Sequence, residues 1–426
     1  MGMCMGSKET RATGMPRRAF VGAGGLVAAG ALTAGLSGLP AIAAEASVKD
    51  GSSAAWDREV DVVVCGCGTG GVPAALDAFD AGCEVLVLEK KDWLGGQLRR
   101  CGGGVAGAGT KVQKALGVED SADDFYKYWV ACGGDRVVPE LIRPVADMSA
   151  SIVDWIIDDL GGQPVEDWAF SGGEDGLEYS SDAGLNIGTD PSTFAACGMK
   201  PVARCHWFTA NPDDPFVGDD SKFLFPTAGG TGLWRPFGAA LEQRGVEVLT
   251  KTPLVRLVTR DDGADGREVI GVVAECAGKE LRIKARRGAV VATGNFGSNH
   301  EMFKNYILRD YEENAYGALG IDIAGENDGS GIRAARALGA ELLFPAFAPP
   351  ADSPYVYSMY LSGLRTDTKA RALDVFGKPI PRLHITGMAA GGFIGEAYPS
   401  CGCSVVRCLA YGRIAGQELA ASEPWE

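Results

Sequence analysis

The stretch Val62–Gly71, VVVCGCGTGG, decides the fold. Two cysteines one residue apart offer a metal two thiolates, whereas the glycines around them offer a phosphate group bare backbone. The flanking residues separate these readings. Val60, Val62, Val63 and Val64 form the β-branched run of a buried strand. Gly66, Gly68 and Gly71 fit Gly-x-Gly-x-x-Gly, and a helix is predicted from about Gly70 to Asp80, with Gly82 past its end. A second strand, EVLVLE, closes on Glu89, 23 residues beyond Gly66. In such a unit Gly66 makes the turn and Gly68 admits a pyrophosphate to the helix N-terminus. Gly71 lets helix and strand touch, and Glu89 accepts hydrogen bonds from ribose hydroxyls. Thr69 and Gly70 complete the turn, and Lys90 follows the acid. Cys-Gly-Cys recurs at Cys401–Cys403, so four sulfurs would converge if the two loops met. Their spacing is that of neither a zinc nor an iron–sulfur framework, and no metal ligands are assigned.

A chain of 426 residues builds one large core, or a main domain with an insertion. Its 61 glycines, many in clusters beside apolar runs, suit a backbone that approaches a ligand in several places. The net charge of −15 argues against nucleic acid as a partner. At the N-terminus, Arg17 and Arg18 precede an apolar run from Phe20 to Leu39, and Ala41–Ala43 offers small residues. That order predicts an export signal over residues 1–43, of the twin-arginine type, carrying a folded protein across a prokaryotic cytoplasmic membrane. The competing reading is a membrane anchor, against which stand six glycines in the run and few large side chains. The twelve cysteines are scattered in a chain large enough not to need staples, so no disulfide is assigned.

Beyond Lys90 the chain continues DWLGGQLRRCGGGVAGAGT. Here it resembles the FAD-dependent oxidoreductases that include fumarate reductase and succinate dehydrogenase flavoproteins, urocanate reductase and 3-ketosteroid Δ1-dehydrogenase. Further matching segments follow in the family's order: GVEVLTKTPLVRLV, GAVVATGNFGSN, GENDGSGIRAARALGAEL, GLRTDTKARALDVFGKPIPRLHITGMAAGG and SVVRCLAYGRIAG. The resemblance implies an α/β fold, an FAD-binding Rossmann-like domain of the glutathione-reductase type with a shortened inserted cap domain. It divides the chain into 58–295 with a loop insertion at 171–220, a reduced cap at 296–361, and a C-terminal return at 362–424. It places Gly96, Gln97, Gly102, Gly103 and Gly104 along the ribityl chain and flavin ring. It places Leu254 at the adenine, and Ala292, Thr293, Gly294, Gly387, Cys403 and Ser404 at other parts of the cofactor. Covalent-flavin members use a histidine in the early glycine segment; Gly95–Thr110 has none, so FAD is expected to be non-covalent. The histidines are His206, His300 and His384, and for each a structural or surface role competes with a catalytic one.

The chain departs from the fumarate-type pattern near its end. In GGFIGEAYPSCGCS, Ile394, Ala397 and Tyr398 stand where that pattern has His, Asn and Arg, and Met388 replaces its glutamate. A phenol is no bidentate partner for a carboxylate. Tyr-Pro-x-x-Gly at Tyr398–Gly402 instead looks like the ketosteroid dehydrogenase motif. There the tyrosine hydroxyl and glycine N–H hold a ketone oxygen and stabilise an enolate. The competing reading packs Tyr398 against the ring edge. Tyr179 is a candidate second tyrosine, with Tyr355, Tyr357 and Tyr360 as others. The expectation is an exported FAD-dependent oxidoreductase exchanging hydride between flavin N5 and a C=C or C–C bond beside a carbonyl. Its substrate is a small unsaturated carbonyl compound, and its electron partner is external, such as a cytochrome or a quinone-linked protein. The shortened cap keeps open a second class, a flavin-binding electron-transfer protein or relic.

Overall fold

The computed structural model describes residues 55–165, 169–171, 178–180, 185–186, 191–209, 229–261, 267–306, 327–343 and 363–425. All belong to one compact unit, 44–426. The expected leader, 1–43, and Tyr355, Tyr357 and Tyr360 lie outside the described residues.

An eight-stranded sheet organises this unit. Its strands are β1 (Arg58–Cys65), β2 (Val85–Leu88), β3 (Glu247–Leu249), β4 (Leu254–Asp261), β5 (Arg267–Cys276), β6 (Lys279–Val291), β7 (Arg371–Leu373) and β8 (Pro379–Ile385). Parallel pairing runs β3-β2-β1-β6-β8, the Rossmann-like layer. β4, β5 and the first half of β6 form an antiparallel meander, and β7 pairs antiparallel with β8. The partner change along β6 needs a special backbone. Gly288 takes φ 140° there, and a Cβ on it would stand 2.5 Å from the Arg382 carbonyl oxygen. The valines of β1 are fully buried, as a parallel strand covered on both faces requires.

Helix α1 (Gly71–Asp80) follows β1. It is joined by α2 (Ala122–Gly133), α3 (Pro139–Asp158), α4 (Pro191–Ala196), α5 (Gly229–Arg244), α6 (Ser330–Arg336) and α7 (Cys403–Ala421). α7 lies on α1 almost backbone to backbone. A Cβ on Gly412 would fall 2.5 Å from the Gly70 carbonyl oxygen, and one on Gly416 would fall 2.5 Å from that of Ala74. The C-terminal return thereby fixes the glycine turn at the opposite end of the chain.

Two expected boundaries change. The segment 171–220 is not wholly a loop: among its described residues Cys205–His206 pairs with Val105–Ala106 and with Leu185–Asn186. Phe194, Arg204, Cys205 and Phe208 are buried, because the apolar run CHWF supplies a strand with a core face. The reduced cap, expected from 296, gives much of its described chain to the dinucleotide unit. The Gly329 N–H donates to the Asn295 carbonyl at 3.1 Å, and α6 starts against Thr293.

Candidate functional site

An open groove runs along the carboxyl ends of β1, β2 and β6. Gly66, Gly68, Thr69, Gly70, Glu89, Lys90, Gly96, Gln97, Leu254, Ala292, Thr293, Gly294 and Gly387 all line it. Thirteen residues singled out from separate motifs thus share one wall, in the crevice where open parallel sheets bind ligands.

The glycines differ in what demands them. Gly66 has φ 108°, and a Cβ would lie 2.4 Å from the Ala292 carbonyl oxygen. At Gly70 the nearest atom to a Cβ would be the Gly387 nitrogen at 2.3 Å. Gly71 does not line the groove; its Cβ would strike the Gly66 carbonyl oxygen, the helix–strand contact expected of it. At Gly68 the nearest protein atom would be 3.9 Å away. Protein packing therefore does not require glycine at 68, whereas close approach of a pyrophosphate does. α1 begins at Gly71 behind Gly70 with no side-chain cap. The Gly71 and Val72 N–H groups donate to the Gly68 carbonyl at 3.1 and 3.0 Å and Pro73 has none, so what this end offers an anion is the positive end of the helix dipole behind bare glycine backbone.

Glu89 is nearly buried at the end of β2. One carboxylate oxygen accepts the Cys67 N–H at 3.0 Å and the other accepts the Lys91 N–H at 2.9 Å. Each oxygen keeps a lone pair for a ribose hydroxyl. Thr293 Oγ1 is buried with no hydrogen-bond partner in the protein. A dinucleotide's oxygens would fit both the bare backbone at Gly68 and this hydroxyl, so the groove suits FAD. Sequence reasoning missed Asn327 and Ser330, which also line it. They sit in GENDGSG, whose short polar run before α6 was the available signal; Asp328 there pairs with Lys90 at 3.3 Å.

Farther along, Gly102, Gly103 and Gly104 lie away from this lining: Gly102 faces the Trp207 ring, Gly103 the backbone of Gly229 and Gly230, and Gly104 meets the Tyr-Pro-x-x-Gly loop. A Cβ on Gly104 would stand 2.4 Å from Cys205 Sγ and 3.1 Å from Cys401 Sγ, and one on Gly402 would be 2.4 Å from the Ala106 nitrogen. Two segments distant in sequence, one assigned to the flavin ring and the other to a substrate ketone oxygen, are therefore in contact. Tyr398 is partly buried, and its hydroxyl accepts the Ser404 N–H at 3.0 Å, in the first turn of α7. Burial first, then the Cys403 and Cys401 thiols, push its pKa well up. It stays a neutral phenol whose proton is free to be donated. Gly402 caps α7 with φ 89°. A hydrogen bond from Cys205 pulls the Cys401 thiol down, burial opposes, and the N–H groups of Gly104 and Gly402 add to the lowering. Cys403 is fully buried with Sγ 3.5 Å from Ser400 Oγ; the Ser404 hydroxyl has no protein partner.

Arg407 was missed. It is buried in α7, donates to the Gly387 and Ala390 carbonyls at 3.3 and 3.2 Å, and reaches Met388 sulfur at 3.0 Å. It holds the turn that carries Gly387 into the groove. Arg204 is also buried and pairs with Asp120 at 2.7 Å; Arg99 and Arg235 are further buried arginines.

His206 is structural. Nδ1–H donates to the Val105 carbonyl at 3.1 Å and Nε2 accepts the Thr110 hydroxyl at 2.9 Å, the neutral tautomer that satisfies both. Burial lowers its pKa to about 4. His384 is buried in β8, and burial holds it too at about 4. Tyr179 pairs through its backbone with Phe170, in a hairpin (169–171 with 178–180) whose side chains lie outside the description. Among the described residues no group of three or more His, Cys, Asp or Glu could hold a metal, and the two Cys-Gly-Cys runs do not form one.

Comparison with known proteins agrees with this layout. Residues 61–356 match the model of a family described as FAD binding domain. Digoxin reductase of Eggerthella lenta is 28% identical over 388 residues, 83% of this chain and 59% of that protein. The 3-oxosteroid 1-dehydrogenase of Mycolicibacterium smegmatis is 28% identical over 319 residues, 67% of this chain and 54% of its own length. The chain thus spans little more than half of these relatives. Among solved structures, 3-ketosteroid-Δ4-(5α)-dehydrogenase of Rhodococcus jostii superposes with a TM-score of 0.70 at 24% identity, covering 87% of this chain and 99% of that one.

Proposed function

The chain belongs to the FAD-binding family whose model it matches, FAD is its cofactor, and on that premise we propose that it is an exported oxidoreductase acting on a carbon–carbon bond conjugated to a ketone. The observation that carries the reading is the Tyr398 hydroxyl. Its lone pair is occupied by the Ser404 N–H, which leaves its proton to be donated.

The α1 N-terminus with Gly68, Glu89 and Thr293 would hold the pyrophosphate and ribose, and Gly104 with the 398–404 loop would border the ring. FAD supplies the two-electron chemistry, taking or giving hydride at the substrate β-carbon. Tyr398 holds the substrate carbonyl oxygen and keeps its own proton, since its pKa is raised. As negative charge builds on that oxygen the hydrogen bond strengthens, which acidifies the adjacent carbon. Gly402 N–H, at the start of α7, supplies the second donor. Ketones are favoured over carboxylates because a phenol, Tyr398, stands where the fumarate-type pattern has its arginine, and Arg407 and Arg204 are engaged by carbonyls and by Asp120. The electron partner is a separate protein or quinone-linked donor, and the leader at 1–43 directs export.

The test is anaerobic. The dithionite-reduced flavoprotein is titrated with enones, steroids included, and separately with unsaturated carboxylates, while flavin absorbance is followed. Reoxidation by enones alone, suppressed in Tyr398→Phe, is the expected result. Reoxidation by carboxylates alone would transfer the role to a different cation. One observation favours a second reading, an electron-transfer flavoprotein with a degraded site: the match covers little more than half of the curated relatives. No reoxidation by either set, with fast reaction towards bulky one-electron acceptors, would establish it.

A further inference from the structure

Cys132, in the last turn of α2, and Cys197, just after α4, bring their sulfurs to 3.2 Å. That is closer than unbonded sulfur atoms ordinarily stand. The neighbourhood connects the pair to the Tyr398 loop by two routes. The Cys132 carbonyl accepts the Ala397 N–H at 3.0 Å, and the Gly133 carbonyl accepts that of Glu396 at 3.0 Å. From the other side, Phe194 of α4 stacks on Tyr128 at 4.2 Å, and the Tyr128 hydroxyl donates to the Pro399 carbonyl. Residues on both sides of Tyr398 are thus tied to the elements that bear the two thiols.

We propose that Cys132 and Cys197 are a disulfide-forming pair whose oxidation fixes the 396–399 segment against α2. This does not rest on the catalytic reading above. The oxidant is a small-molecule disulfide. Cys197, the more exposed sulfur, attacks one oxidant sulfur as the thiolate and expels a thiol, giving a mixed disulfide. Cys132 then attacks the Cys197 sulfur and releases the second thiol. Two protons and two electrons leave the cysteines, one S–S bond forms, and the oxidant becomes two thiols. Burial raises the Cys132 thiol above its ordinary range, so the second attack is the slow one.

The FAD-loaded full chain, first reduced, is incubated natively with oxidised glutathione. Free thiols are then alkylated, the chain is digested without reduction, and the peptides are mapped by mass. The expected result is a Cys132–Cys197 linked peptide, lost in Cys197→Ser. Hydrogen exchange at the Glu396 and Ala397 amides should then slow about tenfold in the oxidised protein. The cross-link is overturned if both cysteines are alkylated, or joined to Cys205, Cys401 or Cys403, under conditions that consume the oxidant. The effect on the loop is overturned if the cross-link forms and exchange at 396–397 does not change. The wild-type map needs no variant, so a misfolded Cys197→Ser protein would leave the test intact.

Discussion

The nucleotide end of the groove is built from main chain and the ring end from side chains. At the first, Gly66, Gly70 and Gly71 sit where a Cβ would strike backbone atoms, and Glu89 is fixed by two N–H groups. Backbone held by a sheet and a helix has one geometry, so this end is formed as soon as the fold is. At the second, Tyr398, Cys205 and Cys401 depend on rotamers and on a loop anchored through Tyr128, Gly133 and Ser404. Such a site can lose its chemistry while its fold survives. The difference explains how a chain that matches little more than half of its relatives' length can retain a nucleotide cradle.

Three substitutions would break or sharpen that contrast. Gly66→Val has the largest expected effect. It adds a β-branched side chain at φ 108°, 2.4 Å from a carbonyl oxygen, and should leave no folded, flavin-loaded protein. Recovery of yellow protein with a wild-type melting curve would refute the rigid-cradle account. Tyr398→Phe should lower the rate of enone reoxidation by about 10²–10³-fold, the usual cost of losing one oxyanion donor. Flavin content should stay within about twofold of wild type, as judged by absorbance per chain; flavin loss instead would mean that the two ends are not separable. Gly68→Ala is the smallest of the three. With open space around its Cβ the apoprotein should melt as wild type does, while FAD affinity falls about tenfold through blocked backbone approach. Unchanged affinity by fluorescence titration would show that nothing passes close to residue 68.

What could be read from the sequence follows the same division. The β1–α1–β2 unit was legible to within a residue or two, because β-branched runs, turn glycines and a terminal acid act locally. The shared wall of thirteen residues was legible because the family's motifs carry main-chain tasks. Gly412 and Gly416 as the contact between α7 and α1, Arg407 behind Gly387, and the buried Asp120–Arg204 pair were not. Each depends on which distant segment arrives opposite, and nothing beside them in the chain encodes that. The CHWF stretch was misread as loop because its strand partner, Val105–Ala106, is only two residues long and distant in sequence.

Acid should loosen the whole unit in a window set by its buried histidines. His206 and His384 are both held at about 4 by burial, against about 6.5 in an unfolded chain. At His384 the neighbouring Asp367 opposes the lowering, while Arg371 and Lys369 add to it. Above pH 6.5 the rings are neutral in both states and contribute no pH dependence. As pH falls from 6.5 towards 4 the unfolded chain binds protons that the native state refuses, so stability drops. Each histidine contributes at most about 1.4 kcal/mol per pH unit, or about 2 kcal/mol between pH 6.5 and 5. His384→Leu is the cleaner probe, because removing the His206 ring would also break its bonds to Thr110 and Val105. Urea midpoints at pH 7 and pH 5 should lie closer together in that variant, by about half of the histidine contribution. Carboxylates add little above pH 5, so an unchanged separation would mean that His384 is solvated when it titrates, and that burial does not set its pKa.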